Sequence, residues 1–163
     1  MKVIFLDVDG VLNCQSSKAR FRGYIGIDND KVKRLRDIVK ATNAKIVLTS
    51  TWKLFWERDP LLKDEQHEDG NYLDRKFRRE NLFILDKTTE EKNLGCRGEG
   101  IHNFLQHHNI ESWIVLDDEI FDDYETYGIM PHLIKTTFYA DDGGIQDKHI
   151  KLAIKMLNTP QND

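Results

Sequence analysis

The segment Lys2–Leu6, apolar after its first residue, stops abruptly at Asp7-Val8-Asp9-Gly10. A run apolar at successive positions fits a parallel strand buried on both faces. Carboxylates at the end of such a strand lose water unless something pairs with them. Open α/β sheets bind ligands at the carboxyl ends of their strands. Asp7 and Asp9 are therefore expected at a ligand-binding edge, where Gly10 lets the chain turn away. Neighbouring carboxylates repel, and a hard cation such as Mg²⁺ relieves the repulsion. The competing reading is a strand followed by a solvated Asp/Gly turn.

Alternating patterns continue along the chain. Asp28 reads as an N-cap, and Val32, Leu35, Ile38 and Val39 then recur at helical spacing as far as Thr42-Asn43. Lys45–Leu48 reads as a second strand, running into Thr49-Ser50. Residues 98–108 read as a helix with Ile101, Phe104 and Leu105 inward. Residues 113–116 read as a strand ending in Asp117-Asp118, 132–136 as a further strand, and 147–157 as a closing helix. This alternation predicts an α/β fold, a doubly wound parallel sheet with helices on both sides.

Two stretches stand apart. Residues 14–27 read as a flap beside the carboxylates. Residues 53–95, too long for an ordinary loop, read as a small insertion or lid, polar around Pro60, His67 and Gly70, with a short strand near 82–85. At 163 residues the chain suits a single domain.

Composition narrows the function classes. A net charge of −4 argues against a nucleic-acid-binding polyelectrolyte but leaves room for a local basic groove. Two such runs occur: Lys18, Arg20, Phe21, Arg22 and Tyr24 in the flap, and Arg75, Lys76, Phe77, Arg78 and Arg79 further on. Each is either a phosphate- and base-contacting surface or a solvated face. Cys14 and Cys96 make no metal pattern, and Cys14 reads as a small buried residue. No apolar stretch is long enough to span a bilayer, and no signal-type segment precedes the first strand. The expectation is a soluble cytoplasmic chain with reduced thiols. Trp52, Phe55 and Trp56 read as packing, with the pocket mouth as the alternative. His107-His108 and His132 read as structural, and Asp122-Asp123 as turn or cap acids.

Three strands end in reactive side chains, at Asp7/Asp9, Thr49/Ser50 and Asp117/Asp118. A parallel sheet brings all three ends to one edge. The set resembles the haloacid dehalogenase (HAD) superfamily of phosphohydrolases. Its first motif matches Ile4-Phe5-Leu6-Asp7-Val8-Asp9-Gly10-Val11-Leu12, its second Ile46-Val47-Leu48-Thr49-Ser50, and its fourth Ile114-Val115-Leu116-Asp117-Asp118. For the third, a cation near a helix start, Arg97 is the choice, Lys92 the competitor and Lys87 a weaker candidate. The Thr-Ser-x-Trp strand end, the Trp-x-x-Leu-Asp-Asp strand and the Gly144-Ile145 turn look like the small HAD domains of Swiss Army Knife RNA-repair proteins.

The resemblance implies the following roles. Asp7 is the nucleophile that forms an aspartyl-phosphate, and Asp9 is the acid/base. Mg²⁺ is held by Asp7, by the main-chain carbonyl of Asp9 and by Asp118 or Asp117, with Asp118 favoured. Thr49, or Ser50, and the backbone amides that follow bind the phosphoryl oxygens. Arg97 balances their charge. The substrate is a phosphorylated molecule, with the shortness of any cap favouring nucleic-acid ends. A nucleotidase or small phosphomonoester phosphatase is the alternative, and a non-catalytic binding module is the reading from another class.

Overall fold

The computed structural model describes residues 1–89 and 95–159. Its strands are β1 (Lys2–Leu6), β2 (Arg20–Phe21), β3 (Tyr24–Ile25), β4 (Lys45–Leu48), β5 (Ile84–Lys87), β6 (Ser112–Asp117) and β7 (Leu133–Lys135). Its α-helices are α1 (Asn29–Thr42), α2 (Glu68–Arg78), α3 (Arg97–His107) and α4 (Asp147–Asn158). Five strands form one sheet in the order β5-β4-β1-β6-β7, and every neighbouring pair is parallel. From β1 the chain builds outward through β4 and β5, then crosses to β6 and β7 on the other side. The topological switch point therefore lies between β1 and β6, where ligands of such sheets bind.

The alternation of side chains along each strand assigns the two faces. Ile4, Leu6, Ile46, Leu48, Ile114 and Leu116 pack with Val32, Leu35 and Ile38 of α1, Leu73 and Phe77 of α2, and Ala153 and Leu157 of α4. Val3, Phe5, Val47 and Val115 pack with Ile101 and Phe104 of α3, and with Tyr124 and Ile129. Helices cover both faces, as the alternation predicts. Among the described residues no helix is long and apolar enough to cross a membrane.

Two elements differ from the sequence reading. The polar stretch around Gly70 contains α2. Its dense charge hides a narrow apolar stripe of Leu73 and Phe77, and Gly70 is required because a Cβ there would lie 2.2 Å from the Phe55 carbonyl oxygen. The strand expected near 82–85 lies two residues later. Leu82 instead closes α2: its N–H donates to the Phe77 carbonyl at 3.0 Å, and that of Asn81, in the left-handed region at φ 55°, to Arg78 at 3.1 Å. This is the Schellman arrangement, with Leu82 packed in one apolar cluster with Phe77.

Residues 14–27 carry the β2–β3 hairpin. Its two central residues, Arg22 (φ 52°) and Gly23 (φ 84°), both have positive φ, the signature of a type I′ turn. Phe21 stacks on Tyr72 of α2 at 4.0 Å and 6°, and Ile27 N–H donates to the Tyr72 hydroxyl at 3.0 Å. Asp28 occupies the N-cap position of α1 without a capping side-chain bond. Its Oδ2 accepts from Ser17 Oγ at 2.6 Å and Lys31 Nζ at 3.1 Å, tying the flap's base to α1.

Candidate active site

In the sheet register Leu6 pairs with both Leu48 and Leu116, so the next residues of three strands come to one level. Asp7 N–H donates to the Leu116 carbonyl and Thr49 N–H to the Leu6 carbonyl, both at 2.9 Å. Alternation then turns Asp7, Thr49 and Asp117 toward the α3 face, the side occupied by Phe5, Val47 and Val115. Asp7, Asp117 and Asp118 each offer a carboxylate oxygen within 4.8 Å of the others.

Arg97, at the start of α3, closes this group. Its Nη1 donates to Asp7 Oδ1 and to Asp117 Oδ2, both at 2.8 Å, and its guanidinium lies 4.3 Å from the centre of the Phe121 ring. Asp123 caps the same helix end from another part of the chain, accepting from Gly98 N–H at 3.0 Å and Glu99 N–H at 2.9 Å. Asp117 is fully buried. Besides Arg97, it accepts from the Tyr124 hydroxyl at 3.0 Å and from Glu119 N–H at 3.0 Å. The other two candidates for Arg97's position fall elsewhere. Lys87 Nζ donates to the Trp56 carbonyl at 2.7 Å, and Lys92 lies outside the described residues.

Asp9 is held apart from this cluster. Trp52 Nε1 donates to its Oδ2 at 2.9 Å and Asn13 Nδ2 to its Oδ1 at 2.8 Å. Asn13 Oδ1 in turn accepts from Gly10 N–H at 2.9 Å. Gly10, at φ 79°, turns the chain beneath Asp118; a Cβ there would lie 2.2 Å from Asp118 Cγ. Thr136 Oγ1 donates to the Gly10 carbonyl at 2.6 Å, fixing the turn to the end of β7.

Crowded acids share one electrostatic consequence. Burial pushes the Asp7 carboxyl up to about 8; the Arg97 contact opposes this, while Asp117, Asp9 and Asp118 add to it. Asp118 is pushed up to about 6, by burial first and then by Asp117 and Glu119. Burial and the neighbouring Asp117 also raise the Tyr124 hydroxyl, which stays protonated and able to donate. The carboxylate group alone thus resists full ionisation at neutral pH, and a bound cation relieves that resistance.

These side chains open onto a cavity of about 990 Å³ lined by Asp7, Asp9, Arg97, Asp117 and Asp118 together with Ser50, Thr51 and Trp52. Phe21, Arg22, Tyr24 and Ile25 of the hairpin and Phe138 and Tyr139 of the loop after β7 form its outer wall. Thr49 lies just behind this lining. It is buried, and its Oγ1 has no hydrogen-bond partner among the described residues. Ser50 Oγ accepts from Trp52 N–H at 3.4 Å, which commits it to the turn that follows.

The three aromatics read as packing divide. Trp56 is buried and donates to Asp74 at 3.0 Å, Trp52 packs against the core and also lines the cavity, and Phe55 is exposed, so the packing reading is corrected for Phe55. Tyr124, Asp123 and Asn13 were not singled out as site residues. Asn13 closely follows Asp9 and could have been suspected from that spacing alone. Asp123, read as a turn or cap acid, does cap a helix, α3, whereas Tyr124 left no comparable signal, because its partner is set by the fold. Of the two basic runs, Phe21, Arg22 and Tyr24 reach the cavity, whereas none of Arg75, Lys76, Phe77, Arg78 and Arg79 lines it. His132 stacks on Trp113 at 3.7 Å, and Cys14 is buried with a free thiol.

No curated protein and no solved structure matches the chain. Residues 3–150, from β1 into the first turn of α4, match the family described as the HAD domain in Swiss Army Knife RNA repair proteins. With the sheet, the strand-end carboxylates and nearly the whole length in agreement, the chain belongs to this family of HAD domains.

Proposed function

We propose that the chain is a Mg²⁺-dependent phosphohydrolase that removes a terminal phosphate from nucleic acid through an aspartyl-phosphate on Asp7. Its family supports phosphohydrolase-type chemistry in general. The observation that carries the finer reading is the convergence of Asp7, Asp117 and Asp118 at the edge of a cavity that also exposes Asp9.

A donor set made only of oxygens, carboxylate and main-chain carbonyl, suits a hard divalent ion. Asp7 and Asp118 would hold it through their side chains and Asp9 through its main-chain carbonyl. Both oxygens of Asp117 already accept hydrogen bonds, which favours Asp118 as the direct ligand and leaves Asp117 to anchor Arg97. When bound, the ion screens the anionic phosphate from the anionic nucleophile.

In the first step a carboxylate oxygen of Asp7 bonds to phosphorus and the ester P–O bond breaks. Asp9, protonated, gives its proton to the departing alkoxide oxygen. The covalent route divides one hard displacement into two. In the second step Asp9 takes a proton from water as that water attacks phosphorus. The P–O bond to Asp7 breaks, inorganic phosphate leaves, and Asp7 and Asp9 return to their starting states. Thr49, with Ser50 as the alternative, and the amides after it bind the phosphoryl oxygens. Arg97 offsets the charge that builds on them.

The cavity volume lies at the upper end of the ~300–1,000 Å³ typical of small-molecule sites, and this favours a second reading, hydrolysis of a free nucleotide. The test is phosphate release by wild type and Asp7→Asn from 5′- and 3′-phosphorylated oligonucleotides, mononucleotides and an aryl phosphate, with and without Mg²⁺. Release by wild type alone, and only with Mg²⁺, supports the reading, and the preferred substrate chooses between the two versions. No release from a folded, Mg²⁺-supplied chain on any of these substrates counts against it and favours a non-catalytic binding role.

A further inference from the structure

Charge and aromatic content divide unequally around the cavity. Six carboxylates line it against two arginines, Arg22 and Arg97. Both arginines are committed: Arg22 to Glu68 at 3.4 Å and Asp69 at 3.5 Å, Arg97 to Asp7 and Asp117. Even a bound dication leaves the wall acidic, so it is poorly suited to tracking a phosphate backbone. Five aromatic rings line the same space: Phe21, Tyr24, Trp52, Phe138 and Tyr139. Tyr24 is 79% exposed and Tyr139 82% exposed, on opposite parts of the sequence.

The elements that carry these rings are anchored. The hairpin under Tyr24 is fixed by the Phe21–Tyr72 stack and the Arg22 pairs. The loop under Tyr139 is fixed by Gln15 N–H to the Phe138 carbonyl at 3.0 Å and Gly144 N–H to the Thr137 carbonyl at 2.9 Å. Aromatic faces on fixed supports bind flat π-systems with little ordering cost, and every nucleobase has such a face.

We propose that Tyr24 and Tyr139 form a stacking subsite for the nucleobase adjacent to the phosphomonoester, so that recognition rests on the base and not on a run of backbone phosphates. This rests on the phosphohydrolase reading above and adds a specificity determinant to it. The shared chemistry, a base beside a single terminal phosphate, comes either from a nucleic-acid end or from a free nucleotide.

The test measures binding and needs no turnover. Asp7→Asn in Mg²⁺ is titrated calorimetrically with glycerol 3-phosphate, adenosine monophosphate and a singly phosphorylated tetranucleotide. Both base-bearing ligands are expected to bind more tightly than glycerol 3-phosphate. Adding Tyr24→Ala and Tyr139→Ala is expected to reduce that preference on the order of tenfold, and the Tyr→Phe pair to restore it. A further gain for the tetranucleotide identifies a nucleic-acid end as the source, and equal affinity identifies the free nucleotide; either supports the subsite. The proposal is overturned if glycerol 3-phosphate binds as tightly as the nucleotide or if the double Ala change leaves the preference intact. It is equally overturned if affinity falls steeply with salt in proportion to oligonucleotide length, the mark of phosphate contacts. Failure of the underlying reading shows separately, as absence of phosphate release by the wild-type chain.

Discussion

The indole N–H of Trp52 donates to Asp9 Oδ2 at 2.9 Å. With Asn13 on the other oxygen, it fixes the plane of the carboxylate proposed to move the proton. Trp52→Phe keeps a ring at the cavity wall and removes the donor. A hydrogen bond to a charged group is worth ~1.5–3 kcal/mol, so kcat on a phosphorylated oligonucleotide should fall about tenfold or more. A dinitrophenyl phosphate, whose leaving group needs no proton, should lose much less. Steady-state kinetics on the two substrates checks this; equal losses would point to a purely structural role for Trp52.

Thr49 separates stability from function. Its buried hydroxyl has no hydrogen-bond partner among the described residues, and a buried unpaired polar group costs ~1–3 kcal/mol. Thr49→Val keeps the shape and removes that cost. The denaturation midpoint should hold or rise, while kcat/KM falls by on the order of 10²–10³, as when one donor to a transition-state oxyanion is removed. Urea unfolding and kinetics on the same preparation test both halves.

Gly10 sets the position of Asp118. A methyl group there would collide with Asp118 Cγ on a backbone with positive φ, where β-carbons are disfavoured. Gly10→Ala should displace Asp118 and weaken Mg²⁺ binding more than it lowers stability. Mg²⁺ titration followed by calorimetry, alongside thermal unfolding, measures the two effects.

Stability without metal should depend on pH in an unusual direction. Burial holds Asp7 near 8 and Asp118 near 6, above the ordinary carboxylate value of 3.8. The native state therefore keeps protons that the unfolded chain releases. Their contribution is full below about pH 4 and is lost as pH rises through about 6 and then about 8. The metal-free melting temperature, followed from pH 5 to 8.5, should carry this falling component. Saturating Mg²⁺ should flatten it, because the ion favours the ionised carboxylates, and Asp7→Asn should remove the upper part. An unchanged slope in Asp7→Asn would show that Asp7 is not its source.

The strand-end chemistry was legible in the sequence because it is local. An apolar run with alternating side chains and a terminal Asp-x-Asp-Gly implies a buried parallel strand with carboxylates at its edge. Three such endings imply one shared edge, and the structure brings Asp7, Thr49 and Asp117 to one level. Helix α2 was not legible, since its stripe of Leu73 and Phe77 is sparse among charges and its Gly70 argues for a break. What holds the acids was legible only in part: the resemblance put Arg97 at the site as a counter-charge to the phosphoryl oxygens, not as a partner of the acids. Arg97 reaches Asp7 across a sequence separation of 90 residues, Tyr124 reaches Asp117, and Asp123 binds Gly98 N–H, 25 residues before it, at the start of α3. No spacing rule encodes these partners, because each depends on where the sheet and helices pack. The same is true of the aromatic rim: Tyr24 and Tyr139 share a cavity only because α2 fixes the hairpin and the strand-end turn fixes the loop after β7. Residue types and periodicity determined which groups could do chemistry and on which edge; tertiary packing decided which of them are paired, which stay open to a ligand, and what surrounds them.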